Sequence, residues 1–310
     1  MSSFNELLRA SFKSNDTEEW LDVHFTRPIG LFFALIWKRL GVHPNVITII
    51  SIFLGIGAAY MFYFTDLQHN IYGVILLMFA NFCDSTDGQL ARLTGKKTLV
   101  GRVLDGFAGD IWFFTIYAAL CLRVQTQFIP GTTMHWGIWI WVLAFLSGIL
   151  SHSPQSSLSD YYRQIHLFFL KGKAGSELDS YAQQRAIYRA LPKKGSVWAH
   201  LFYYNYANYC KNQESRTPVF QKLRTILKEK YPNPEDIPSD IKEQFLAGSR
   251  PLLKYTNILT FNVRAICIYV TCLLNCPWIY MIIEITIMNI LYIYMRKQHE
   301  NICKSLVTKI

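Results

Sequence analysis

LDGFAGDIWFFTIYAALCL (104–122) sets two carboxylates and two glycines directly before an apolar run. The run is long enough to enter a bilayer, for which about 20 residues suffice. Ionised carboxylates at its edge are expensive in hydrocarbon, and intramembrane acids are functional candidates by default. Working outward, apolar runs lie at 44–64, 71–91, 103–122, 135–152, 256–276 and 278–295. The 310 residues, 51% hydrophobic and 15% aromatic, would suffice for two soluble domains, but the apolar residues are gathered into runs instead of being dispersed. Six such runs predict an all-α integral membrane protein with six transmembrane helices.

Charge placement orients the spans. With a cytosolic N-terminus, the short outer loops lie near 65–70, 123–134 and 276–277 and contain one basic residue, Arg123. Of the 31 Lys and Arg, Arg123 lies outside and Arg264 within a span, which leaves 29 on the inner side. The positive-inside rule then puts both termini in the cytosol. The net charge of +10 reads as topology and attraction to anionic headgroups, not nucleic-acid binding. No cleavable signal peptide opens the chain. The seven cysteines show no paired CxxC spacing, which argues against structural zinc.

The chain divides into a cytosolic arm with an interfacial helix (1–42, the helix at 29–41), four spans (43–152), a cytosolic insert (153–255), two spans (256–295) and a cytosolic tail (296–310). Turns at KGKAGSE, PKKGS and YPNPEDIPSD cut the insert into short helices. Its aromatic stretches HLFFL and WAHLFYYNYANY suit packing within the insert, on the bundle or on the membrane surface.

A second acidic group, NFCDSTDGQLAR (81–92), lies just upstream of the first. Asp84 and Asp87 are spaced i,i+3 on one helix face, and Gly88 and Ala91 continue that face almost without side chains. Arg92 closes the helix, and after a basic turn the next helix returns Asp105 and Asp110 to the same depth. Up to four carboxylates thus meet in a low-dielectric site and need neutralising. All-oxygen ligands favour Mg²⁺ or Mn²⁺, and two such ions beside Gly, Ala and Arg suit a pyrophosphate substrate.

DSTDGQLAR, eight residues, then GRVLD resembles the signature of the CDP-alcohol phosphatidyltransferases, D-x2-D-G-x2-A-R-x8-G-x3-D-x3-D. Asp84, Asp87, Gly88, Ala91, Arg92, Gly101 and Asp105 stand where that pattern puts them. The resemblance implies transfer of a phosphatidyl-type group from a CDP-linked lipid such as CDP-diacylglycerol to a polar alcohol, releasing CMP. It implies that Asp84, Asp87, Asp105 and a fourth aspartate hold two divalent ions, and that Gly88, Ala91, Arg92 and Gly101 line the CDP site. The fourth aspartate would act as general base. It further implies a multi-pass protein, of a bacterial inner membrane, with a cytosol-facing site and a homodimer as the expected assembly.

The pattern's last aspartate falls at position 109, where this chain has Gly109 followed by Asp110. On a regular helix Asp110 points about 140° from Asp105. Either it is turned off the site, or GFAG carries a one-residue π-bulge that returns it. Gly106 and Gly109 would ease the bulge, so Asp110 is taken as both base and metal ligand.

Arg163, in SDYYRQIH, and Arg264, in TFNVRAI, are candidates for an anion site on the acceptor side, which leans towards inositol phosphate, as in the bacterial phosphatidylinositol-phosphate synthases. Inositol, glycerol phosphate and serine stay open. Glu284, a second intramembrane acid, could instead pair with Arg264. The alternatives are a non-catalytic or transporter-like membrane protein and an intramembrane prenyltransferase. The latter needs a second acidic motif far along the chain, and no DxxxD follows among the later spans.

Overall fold

The computed structural model describes residues 4–12, 14, 16–96, 98–172, 175–192 and 196–310, with side chains at all of these but 99, 100, 102 and 103. The expected turns KGKAGSE and PKKGS fall partly on 173–174 and 193–195, outside the described residues. In chain order the helices are α1 (Phe4–Ser11), α2 (Arg27–Arg39), α3 (Pro44–Tyr63), α4 (Leu67–Thr94), α5 (Leu99–Val124), α6 (Ile138–Ala144), α7 (Ser153–Lys171), α8 (Tyr181–Ala190), α9 (Val197–Ser215), α10 (Pro218–Lys230), α11 (Ser239–Ile258), α12 (Phe261–Leu273), α13 (Trp278–Ile283) and α14 (Asn289–Lys309). Widened π-helical stretches cover Asp22–Thr26, Phe145–His152 and Glu284–Met288. Extended pairing among the described residues is limited to a bridge between Phe128 and His135.

The chain forms two compact units, Met1–His152 with Phe261–Thr286, and Ser153–Thr260 with Ile287–Ile310. In the first unit, each helix that builds the acidic site has a local reason to start where it does. Pro44 opens α3 after His43, whose Nδ1 accepts from the Asn45 N–H at 3.2 Å; the missing N–H of proline is harmless there. Asp66 caps α4 by accepting from the His69 N–H at 3.0 Å, and Gly95 ends it with a left-handed φ of 68°. Thr98 then caps α5 through the Gly101 N–H at 3.0 Å.

Two glycines let α3, α4 and α5 approach closely. A Cβ on Gly55 would stand 2.1 Å from the Trp112 ring, and one on Gly73 would stand 2.7 Å from Phe62. Ala58, Phe62, Leu77, Ala80, Ile116 and Leu120 fill the space between these helices. Large apolar side chains also face outward, Phe53 at 69% and Phe114 at 74% exposure, as suits a lipid-facing surface.

Arg123, expected in an outer loop, is instead buried at the end of α5. Its Nη1 donates to the Phe62 carbonyl (2.9 Å) and Asn70 Oδ1 (2.8 Å), and its Nη2 to the Cys272 carbonyl (3.2 Å) and Asn275 Oδ1 (2.7 Å). The guanidinium stitches three helix ends, satisfying carbonyls that helices leave open at their C-termini.

Four helical stretches are long and apolar enough to cross a membrane: Pro44–Tyr63, Leu104–Val124, Ser239–Leu273 and Trp278–Lys309. The expected second and fourth spans are not among them. The second half of α4 carries Asp84, Asp87 and Arg92, and the π stretch after α6 ends at His152. The expected fifth span at 256–276 overlaps the stretch Ser239–Leu273, within which α11 ends at Ile258 and α12 begins at Phe261. Thr260 there turns its hydroxyl back onto the Asn257 carbonyl at 2.6 Å.

The second unit packs α7, α10, α11 and α14 around Tyr161, Phe169, Phe220, Phe245 and Leu306. Phe169 stacks on Phe245 and Tyr162 on His299, each pair with centroids 3.9 Å apart. α8 packs on α9, with Tyr188 against both His200 and Tyr204.

Candidate active site

The last turns of α4 and the first turns of α5 bring Asp84, Asp87 and Asp105 together, with one oxygen of each lying within 4.8 Å of the others. Asp87 is 4% exposed and accepts a hydrogen bond from the Thr48 hydroxyl of α3. Asp84 and Asp105 approach to hydrogen-bonding contact with each other. Asp84 is half-buried and Asp105 is exposed, and three carboxylates at that separation repel one another. The donor set is all oxygen and all anionic, which fits a hard divalent ion of the Mg²⁺ or Mn²⁺ type.

Gly88 and Ala91 stand on α4 and Gly101 on α5, the two helices that carry the carboxylates. Gly88 faces the Arg92 guanidinium, whose Nη1 would be 3.6 Å from a Cβ at that position. Arg92 Nε and Nη2 are buried with no hydrogen-bond partner among the described residues. Gly101 is packed so that a Cβ would meet Asn45 Oδ1 at 3.0 Å, which brings the start of α3 to the α5 side of the site. Ala91 stands one turn after Asp87, half-buried. An unpartnered guanidinium beside an anionic cluster and open backbone is an arrangement for a phosphate bridged to a cation.

Asp110 is not in the carboxylate group. The expected π-bulge at GFAG is corrected: α5 is α-helical from Leu99 to Val124, so Asp110 keeps the phase of a five-residue step and points away from Asp105. Gly106 and Gly109 have open space where a Cβ would stand, so neither relieves a clash.

The two arginines expected on the acceptor side, Arg264 and Arg163, belong to the first and the second unit. Arg264, 1% exposed, is spent on Glu284, with which it forms a buried ion pair. Glu284 also meets Tyr280 Oη at 2.7 Å, Ser147 Oγ at 3.0 Å, His152 Nδ1 at 3.1 Å and the Tyr117 hydroxyl. A fully hydrogen-bonded pair of this kind ties α5, α12 and α13 together, and the charge of Arg264 is already answered. Arg163, in the second unit, donates to Asn257 Oδ1 at 3.0 Å.

Cysteine spacing gave no sign of a further cluster in the second unit, where His299, Glu300 and Cys303 also lie within 4.8 Å. Glu300 there caps α10, accepting from the Val219 and Phe220 N–H groups at 2.8 and 3.4 Å, so its carboxylate is already employed.

Sequence spacing missed Thr48. Thr48 sits in HPNVIT at the start of α3, 39 residues before its partner Asp87, and no local periodicity couples two positions so far apart. The one available signal was a hydroxyl residue one turn after the proline that opens an apolar helix.

Residues 41–155 match the family model of the CDP-alcohol phosphatidyltransferases. Over 66 residues, 21% of the chain, it is 44% identical to the archaetidylinositol phosphate synthase of Pyrococcus horikoshii, and the match covers 34% of that protein. The chain therefore spans about a third of the length of the curated relative it matches.

Proposed function

We propose that this chain, which carries a CDP-alcohol phosphatidyltransferase domain over residues 41–155, moves a phosphatidyl-type group from a CDP-linked lipid to a polar alcohol and releases CMP. The observation that carries the reading is the convergence of Asp84, Asp87 and Asp105 beside the unpartnered guanidinium of Arg92. The acceptor hydroxyl attacks the phosphorus nearer the lipid, the bond from that phosphorus to the CMP oxygen breaks, and the hydroxyl proton leaves. Asp84, Asp87 and Asp105 would hold divalent ions, which supply charge neutralisation of the diphosphate and a lowered pKa for a bound hydroxyl. Arg92 binds a phosphate oxygen and holds the diphosphate in register. Gly88, Ala91 and Gly101 leave the backbone open to the nucleotide. Thr48 fixes the Asp87 carboxylate in one orientation. Asp110 faces away from this group, so the proton of the acceptor hydroxyl would pass to a carboxylate of the cluster or to water.

Six spans with cytosolic termini complete the reading, with α4 and the 138–152 stretch as the second and fourth. Two observations support it: the burial of Arg123 leaves the outer loops without an exposed basic residue, and the outward face of α2 carries Phe32, Phe33 and Ile36, as an interfacial helix would. The name of the Pyrococcus relative favours inositol phosphate as acceptor, ahead of inositol. The assembly is a homodimer in a bacterial inner membrane, with the site on the cytosolic side.

The test is CMP release from CDP-diacylglycerol by the purified protein with Mg²⁺, across inositol phosphate, inositol, glycerol phosphate and serine. Release with one acceptor supports the transfer. Binding of CDP-diacylglycerol without release with any acceptor would favour an inactive scaffold, for which Gly109 is the supporting residue. No binding at all would overturn the family-based reading.

A further inference from the structure

The 33 residues from Tyr181 to Gln213 hold five Lys or Arg and no Asp or Glu, and seven of their eight aromatic residues are Tyr or Trp. They run through α8 and α9, which lie against each other. The Tyr188 ring stands 5.9 Å from both His200 and Tyr204, and the Arg185 guanidinium covers the rings of Tyr188 (4.8 Å) and Tyr204 (5.7 Å).

The two ends of this helix pair differ. At one end it is bonded into the second unit: the Tyr181 N–H donates to Glu214 Oε1 at 3.0 Å, the Tyr206 hydroxyl to Asp179 Oδ2 at 2.7 Å, and Gln213 Nε2 to the Ser157 carbonyl at 3.0 Å. Ala207, Cys210 and Gln213 are buried there. At the other end Val197 and Trp198 are each 78% exposed and Leu201 50%, with Ile187 of α8 and Tyr204 also exposed. At 100° per residue, Val197, Trp198, Leu201 and Tyr204 share about 120° of the α9 circumference. Arg189, near the end of α8, is exposed as well. The free end therefore carries an apolar face with basic charge beside it.

A contiguous apolar face held in water marks a surface that meets something. Its composition points to lipid. Trp and Tyr favour the headgroup level of a bilayer, and basic residues beside an apolar helix face add attraction to anionic headgroups. Acidic residues, which such a surface would repel, are absent from the whole helix pair. A chain with four helical stretches fit to cross a bilayer is held next to such a surface.

We propose that the free end of the α8–α9 pair, Val197, Trp198 and Leu201 with Arg189 beside them, docks on the anionic lipid surface of the membrane that anchors the chain. The contact is made by side chains outside the four apolar stretches and requires nothing of the carboxylate site.

The experiment is hydrogen–deuterium exchange of the full-length protein, one copy per lipid nanodisc, in phosphatidylcholine with and without about 30% phosphatidylglycerol. In the anionic discs the amides of 197–204 exchange at least about fivefold more slowly than in phosphatidylcholine alone. Peptides from 207–213 serve as the internal reference and exchange equally in both. Trp198→Ser removes most of the difference and leaves the reference unchanged. Arg189→Gln reduces the difference by about twofold or more. Equal exchange of 197–204 in the two lipids would overturn the proposal: a fast rate would put the face in water, and a slow one would put it under protein. Protection that appears only with two copies per disc would overturn it as well and assign the face to a second copy. So would a Trp198→Ser variant that keeps the full lipid effect.

Discussion

Asp105 and Asp110 stand five residues apart on one uninterrupted α-helix, and only Asp105 joins the carboxylate group with Asp84 and Asp87. Asp110→Asn is therefore expected to lower the turnover of CMP release by less than about threefold, whereas loss of a true general base costs about a hundredfold or more. Steady-state kinetics at saturating acceptor measures it. A hundredfold fall would mean that α5 rearranges to bring Asp110 in.

Gly109→Asp would put a carboxylate four residues after Asp105, about 40° away around the helix, into space where a Cβ meets nothing. Turnover should rise by at least about tenfold if a positioned base is what the chain lacks. The same assay reads the result, and no gain would show that proton removal does not limit the reaction.

Arg264 and Glu284 form a buried pair satisfied by Tyr117, Ser147, His152 and Tyr280. Glu284→Leu alone leaves a buried guanidinium without its counter-charge and should destabilise the protein by about 3–5 kcal/mol. Adding Arg264→Met should restore much of that loss, read as the midpoint of thermal or denaturant unfolding. The double variant should keep the acceptor KM within about twofold. A large rise in acceptor KM in a stable double variant would return Arg264 to the acceptor site.

The approach of α3 to α5 depends on Gly55, over which Trp112 lies. Gly55→Ala should lower stability by about 1–3 kcal/mol through overpacking. Gly57→Ala is the internal control, because its added Cβ would meet only Leu76 at 3.5 Å. Equal melting points for the two variants would contradict the packing described here.

The carboxylate cluster was legible because chemistry and geometry share one short stretch: Asp84 and Asp87 are one turn apart, and a short basic turn brings Asp105 back to them. The helical class was legible for a similar reason, since long apolar runs leave few other ways to satisfy the backbone. What failed was phase and distance. The bulge at GFAG was inferred from its glycines, yet glycine only permits a bulge, and regular hydrogen bonding through Leu99–Val124 prevails. Arg123 looked like a loop residue because composition cannot see the carbonyls of Phe62 and Cys272 that it satisfies. Thr48 meets Asp87 from 39 residues away in the chain, and no spacing rule reaches it.

The central claim is that Asp84, Asp87 and Asp105 form a divalent-cation site for CDP-lipid chemistry. Its most direct test is Mg²⁺-dependent CMP release from CDP-diacylglycerol, compared between the wild-type protein and the folded Asp84→Asn and Asp87→Asn variants. The expected result is release by the wild type that stops on chelation and is abolished in both variants. Full metal-dependent activity in both variants would contradict it.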